Sequence, residues 1–292
     1  MKGIRFKKIS ARSLVLIIVF IIFSMYSVSL VYPLIWAFLN SLKNNLEFFR
    51  APFALPEDWL FSNFAKAFSA ISIRTTQLVE VNLFGMFGNS LWFTLGSSFL
   101  QVATSAMTAY VVSKYEFKCR NFIYGLAIFI MIIPIVGNLP AQYKLFNQLG
   151  MKNSPTILLA YTSGFGFGFI ILYGFFKNIS WYYAEAAFVD GAGNLRVFLS
   201  IMIPQAMPAL TSLFIITAIG SWNDYMTPLL YMGDFPTLAS GLYRFKEIMS
   251  NAESNYPVYF AGILISVIPI LVLFAFFSET IMENTVAGGL KG

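Results

Sequence analysis

From Ser13 to Leu42 the chain carries no charged residue, and nearly every position is apolar. A helix needs about 20 apolar residues to cross the hydrocarbon core of a bilayer. In hydrocarbon each backbone N–H and C=O must be satisfied within the protein, so a run of this length folds as a helix. The pattern recurs in the gaps between charges. Leu14–Leu39, Asn89–Ser113, Phe122–Pro140, Pro155–Phe176, about Ala209–Met232 and Pro257–Ser278 all qualify, and only Asp224 interrupts the fifth. Of the 292 residues 58% are hydrophobic and 11% charged, whereas a soluble domain carries about 25% charged residues. Such a chain cannot hide its side chains in one aqueous core. The expectation is an all-α polytopic membrane protein with six transmembrane helices.

Charge placement sets the orientation. Lys2, Arg5, Lys7, Lys8 and Arg12 precede the first apolar run with no acid among them. This is the positive-inside pattern of a cytoplasmic flank. The net charge of +6 therefore points to a membrane lipid surface, and no nucleic acid is expected. The first run is too long for a signal peptide, and no small-residue cleavage site follows Leu34–Asn40, so it is expected to be a retained helix. The connection Lys114–Asn121 is also basic and belongs inside. Six spans then place both termini and Asn178–Pro208 in the cytoplasm. Lys43–Gly88, Ala141–Ser154 and Gly233–Tyr256 fall outside, although the first of these holds Lys43, Arg50, Lys66 and Arg74. The domain layout is a short cytoplasmic segment, residues 1–13, followed by one transmembrane domain, 14–292, with a cytoplasmic segment at 178–208.

The one cysteine, Cys119, cannot form an internal disulfide, and the chain has no histidine. The usual metal ligand and the usual general base at neutral pH are thus missing, which argues against catalysis and against a metal site. Pro33, Pro134, Pro228 and Pro269 fall within spans and suggest kinks. Gly164, Gly166 and Gly168 suggest close helix approach. Packing or transport would account for either set.

The connection between the fourth and fifth spans is unusual. It runs roughly thirty residues, Asn178–Pro208, where most connections are about four to six. Trp181–Val189 is rich in helix formers, Gly191 and Gly193 punctuate it, and Asn194 is placed to cap a second helix. That second helix reads Leu195, Phe198, Leu199, Met202, a single stripe at helical spacing. Two short helices with a sharp glycine turn are expected at the cytoplasmic face.

Glu185-Ala186-Ala187, three residues, Gly191, nine residues, then Ile201 and Ile203-Pro204, resembles the EAA motif of ABC-importer permeases. Only Ile203 departs from the pattern, standing where the family has leucine. Asp190-Gly191-Ala192 is similar to the sugar-transporting branch. Asn89-Ser90, Met131-Ile132-Ile133-Pro134, Leu149–Ser154, Trp222-Asn223-Asp224-Tyr225 with Pro228-Leu229, and the tail Ala287–Gly292 extend the likeness over most of the chain. It resembles the smaller of the two maltose-type permease subunits, and its ending and tyrosine-rich outer loop look like lipoprotein-linked oligosaccharide transporters.

The resemblance implies a type I ABC importer permease fold in the bacterial cytoplasmic membrane. It also implies a second homologous permease as heterodimer partner, a cytoplasmic ATPase dimer, and an extracellular or lipoprotein sugar-binding protein. ATP and Mg would be bound by the ATPase, because the chain has no G-x-x-x-x-G-K-[ST]. The coupling residues it implies are Glu185, Ala186, Ala187, Asp190, Gly191, Ile201 and Pro204. Glu185 would bond an Arg of the partner, Ala186 and Ala187 would permit close approach, Gly191 would make the turn, and Pro204 would end the second helix. Asp190 serves either the partner or a local cap or pair.

Asn89, Trp222, Asn223, Asp224 and Tyr225 are candidates for the translocation path. An ionisable group within a span raises a functional hypothesis, and its neighbours offer stacking and hydrogen bonds suited to a sugar. Asp224 pairing within the bundle or capping a helix break near Pro228 is equally open. An ion-coupled secondary transporter remains the rival, but it would need a coupling-ion site or an inverted repeat.

Overall fold

The computed structural model describes residues 11–133, 137–249 and 255–287. Among them the chain is almost wholly helical: α1 (Ala11–Ser41), α2 (Asn45–Arg50), α3 (Ser62–Ala70), α4 (Leu83–Lys114), α5 (Arg120–Ile132), α6 (Leu139–Gln148), α7 (Phe167–Asn178), α8 (Tyr182–Val189), α9 (Asn194–Val197), α10 (Ile203–Asn223), α11 (Met226–Tyr231), α12 (Leu238–Met249) and α13 (Tyr256–Ala287). A small antiparallel hairpin, β1 (Ser72–Arg74) and β2 (Glu80–Asn82), pairs Ile73 with Val81.

Two compact units can be distinguished. The first comprises residues up to Ala70 together with Met249–Ile265. Here α1 is apolar and unburied along its span. At its end Asn63 donates to the carbonyls of Ser41 and Lys43, both at 2.8 Å, and Lys43 donates through Nζ to Ala51 O at 2.8 Å. Trp36, Phe48, Tyr256 and Phe260 form a ring cluster beside them.

The second unit comprises Ile71–Ile248 with Ser266–Gly292. Its centre is α4, packed against α7 and α10. Alongside large residues such as Phe93 and Tyr110, the buried face of α4 carries a row of small hydroxylated ones (Ser90, Thr94, Ser97, Ser98, Ser105), which lets helices approach closely. Ser97 bonds its own helix at Phe93 O and also reaches the Ser221 hydroxyl of α10 at 2.9 Å.

The span expectations need correcting in detail. Arg12–Ser41, Asn194–Asn223 and Tyr256–Glu279 are long and apolar enough to cross a membrane, whereas Arg120–Ile132 and Phe167–Asn178 are shorter apolar helices. The third segment does not run as one helix to Pro140: α5 ends at Ile132, and Ile133 turns extended, with ψ 118. A residue preceding proline is pushed out of the α region in this way. Pro134 itself lies outside the described residues, as do Lys2, Arg5, Lys7, Lys8 and the tail beyond Ala287.

The fourth segment is also broken. Pro155–Tyr161 is a 3-10 turn, and α7 starts only at Phe167. Hydroxyls of α4 satisfy the freed carbonyls: Thr104 and Ser105 reach Ser163 O, and Thr108 reaches Gly164 O. A Cβ on Gly164 would lie 2.5 Å from Thr108 Cγ2, so close approach holds there. Gly168 faces Ser105 more loosely, and Gly166 meets open space. The fifth segment starts earlier than expected and breaks at Asp224, four residues before Pro228. A proline at that place has no N–H to offer the Asp224 carbonyl.

Candidate functional site

The α8–α9 segment is built from two faces of one short helix. Ala184 is fully buried, and Ala187 and Phe188 are half-buried against the core formed by α4, α7 and α10. Trp181 closes that side, 6.0 Å from the Phe188 ring. Tyr182, Glu185, Ala186 and Val189, the last 87% exposed, are at i, i+3, i+4 and i+7 and share the outer face. No hydrogen bond or ion pair among the described residues reaches the Glu185 or Asp190 carboxylate. Asp190 is the C-cap of α8, where a negative charge opposes the helix dipole. The local cap or pair held open for Asp190 is therefore not made by its side chain among the described residues.

The turn after α8 is a Schellman motif. Gly191 takes φ +80, its N–H reaches Phe188 O at 3.0 Å, and Ala192 N–H reaches Ala187 O at 2.9 Å. Only glycine enters that conformation without Cβ strain.

Four sequence expectations fail here. Asn194 is not a cap: Gly193 holds that place, and the Asn194 amide oxygen accepts from Tyr115 OH at 3.1 Å. The second helix is not short, because α9 continues through a π turn, Phe198–Met202, into α10. Pro204 therefore does not end a helix. It sits in the first turn of α10, where the wider turn, with Ile203 N–H bonding Phe198 O, relieves a proline that cannot donate. Nor does Ala187 face outward; its small size serves packing of α8 on the bundle, and Tyr182 and Val189 complete the outer face instead. Ile201 is half-buried, and its carbonyl accepts from Gln205 at 3.1 Å. In the expected stripe, Phe198 and Met202 are buried while Leu195 and Leu199 are exposed.

Contacts with α4 were invisible in the sequence, since they join residues far apart along it. Lys114 donates to Ile179 O at the end of α7, and Tyr115 packs edge-on against Trp181 at 5.6 Å. Burial, and secondarily the Arg120 charge, lowers the Lys114 ammonium below its ordinary pKa.

The residues proposed for the path do not converge on one surface. Asn89 donates to Pro236 O at 3.0 Å and accepts from Trp92 at 3.3 Å. Trp222 is buried, edge-on to Phe87, and donates to Ser266 O at 3.0 Å. Asp224 accepts from Thr227 N–H at 3.0 Å, capping α11, and from Tyr161 OH at 3.2 Å. Of the capping and path roles left open for it, capping is visible. Exposed Asn223 bonds Ile219 O, and exposed Tyr225 stacks on Tyr243 with ring centres 5.0 Å apart. Elsewhere a groove of about 400 Å³ opens between α4 and α10, lined by apolar residues including Phe99, Met107, Met207 and Phe214.

A family model for the binding-protein-dependent transport system inner membrane component matches residues 101–281, which include the whole α8–α10 region. The chain belongs to this family. It is thus an inner-membrane component of a transport system, and the exposed face of α8 lies within the shared domain.

Among its relatives is the diacetylchitobiose uptake system permease protein NgcG of Streptomyces coelicolor, 28% identical over 91% of this chain and 86% of that protein. The arabinooligosaccharides transport system permease protein AraQ of Halalkalibacterium halodurans is 29% identical over 90% and 91%. The maltodextrin transport system permease protein MdxG of Bacillus subtilis is 27% identical over 97% and 99%. A crystal structure of a bacterial ABC transporter involved in the import of the acidic polysaccharide alginate contains a chain of the same fold. The TM-score is 0.76 at 20% identity, covering 95% of this chain and 99% of that one.

Proposed function

We propose that this transport component is the permease subunit of an ATP-driven ABC importer for a carbohydrate, taking an oligosaccharide from an extracellular or lipoprotein binding protein. The named relatives carry diacetylchitobiose, arabinooligosaccharides and maltodextrin, which supports that substrate class. The chain spans the bacterial cytoplasmic membrane six times with both termini inside, in the type I importer arrangement. Residues 14–292 form the permease domain, and the α8–α9 region is its coupling segment. A second homologous permease completes the heterodimer, and the apolar groove between α4 and α10 supports a helical partner. A cytoplasmic ATPase dimer supplies ATP and Mg chemistry in trans.

One observation carries the coupling role: the outer stripe of α8, with Tyr182, Glu185, Ala186 and Val189 open and two carboxylates unpaired. Glu185 bonds a cation of the ATPase, Ala186 allows close contact, and Asp190 adds a second charge at the rim. Gly191, Ile201 and Pro204 act behind that face, shaping the segment rather than touching the partner. Asn223 and Tyr225, both exposed, retain a place on the path, while Asn89, Trp222 and Asp224 support it structurally.

The test is reconstitution in proteoliposomes. The chain with a second permease, an ATPase and a binding protein is expected to accumulate a labelled oligosaccharide only with ATP. The purified chain alone is expected to hydrolyse no ATP. Gradient-driven uptake by the chain alone would overturn the proposal in favour of a secondary transporter.

A further inference from the structure

We propose that Tyr115 is a positioning residue that obliges α4 to move with the α8–α9 segment; this rests on the docking of an ATPase against α8. Tyr115 is the C-cap of α4, its N–H bonded to Val111 O at 3.1 Å. Its hydroxyl donates to Asn194 Oδ1 at 3.1 Å and lies 3.2 Å from the Tyr110 hydroxyl, which is left to donate in turn. The Tyr115 ring meets Trp181 edge-on, and the adjacent Lys114 donates to Ile179 O. The segment is therefore held before α8, at Ile179 and Trp181, and after its glycine turn, at Asn194. The first end is fixed to Lys114 and Tyr115 at the end of α4, and the second to Tyr115 alone.

A shift of α8 that left α4 behind would strand the Ile179 carbonyl and the Tyr110–Tyr115–Asn194 chain. Such linked groups strengthen one another. The Tyr110–Tyr115 pair and the Lys114–Ile179 contact are part-buried, where an unsatisfied group is costly, whereas Asn194 is exposed and fixes direction more than energy. The path continues inward from Tyr110, whose ring packs on Phe198 at 4.9 Å and Phe176 at 5.7 Å. Along α4 the hydroxyls of Thr104, Ser105 and Thr108 hold the break before α7, and Asn89 holds Pro236 near its far end. A pull on the docking helix is delivered by this rigid helix to the opposite side of the unit.

The experiment uses the whole importer, with spin labels at Phe84→Cys on α4 and Arg196→Cys on α9 in a Cys119→Ser background. Distances are measured with and without ATP and vanadate. In the otherwise wild-type chain the distance is expected to stay constant on trapping. Tyr115→Phe, which keeps the ring but not the hydroxyl, and Asn194→Ala are expected to show a shifted or broadened distance only in the trapped state. Asn194→Asp keeps an acceptor and is expected to restore the constant distance, a response that a purely structural role would not give.

A distance that changes on trapping in the wild-type chain, or that stays constant in Tyr115→Phe, overturns the inference. ATPase co-purification is scored on the same samples. Its absence from the wild-type complex overturns docking, whereas its presence with a changing wild-type distance overturns the Tyr115 role alone.

Discussion

The N–H of Ala192 closes on the carbonyl of Ala187 at 2.9 Å, so the residue after the glycine turn is locked back onto α8. That bond needs Gly191 in the left-handed region, at φ +80. Gly191→Ala is expected to destabilise the turn by about 1–2 kcal/mol, the cost of that conformation for an L-residue. Gly193→Ala is the control, because Gly193 has an ordinary φ of −79 and open space around it. Hydrogen exchange at α8 is expected to quicken in the first variant and stay unchanged in the second.

Gly164 and Thr108 make a second close pair. Gly164→Ala is expected to cost about 1–3 kcal/mol by overpacking, read as a lower unfolding midpoint in detergent. Adding Thr108→Ser removes the methyl that a Cβ would strike and keeps the hydroxyl that satisfies Gly164 O. The double variant is expected to recover most of the loss.

Asp224 is expected to behave as a cap. Asp224→Ala is expected to lose about 1 kcal/mol of stability, while Asp224→Asn, which still accepts from Thr227 N–H, loses a few tenths. Uptake by Asp224→Asn near the wild-type rate would place its role in the helix break rather than in substrate contact.

Lys43 gives a pH dependence. Burial lowers its pKa from 10.5, and the Glu47 charge only partly offsets this. The folded state thus releases the proton first, and the cost of burying the charge is fully present at low pH. It fades as pH rises through the folded value toward 10.5. Stability of the wild-type chain relative to Lys43→Met is expected to rise over that interval, measured by unfolding midpoints; a flat difference would contradict it.

Much of the fold was legible because bilayer thickness writes itself into the spacing of charges. The run from Ser13 to Leu42 gave α1 within a few residues, and the motif from Glu185 to Pro204 marked the segment between α7 and α10. The breaks were not legible. Whether residues 162–166 leave the helix depends on hydroxyls of Thr104, Ser105 and Thr108, far away in sequence. Asn194 has the chemistry of a cap, yet tertiary context gave it to Tyr115. Ala187 shares its composition with Ala186, and only the rotation of α8 separates an inward from an outward alanine. Pro204 suggested an end because the π turn that accommodates it has no local signature.

The central claim is that the outer face of α8 receives the ATPase. The most direct measurement is ATP-driven oligosaccharide uptake by the reconstituted complex carrying Glu185→Ala, with membrane insertion and ATPase co-purification scored on the same samples. Removing one partner of a buried interfacial charge pair costs about 2–5 kcal/mol. Insertion is therefore expected to be unchanged, while uptake falls by more than about tenfold, with or without loss of the ATPase. Uptake at the wild-type rate would contradict the account.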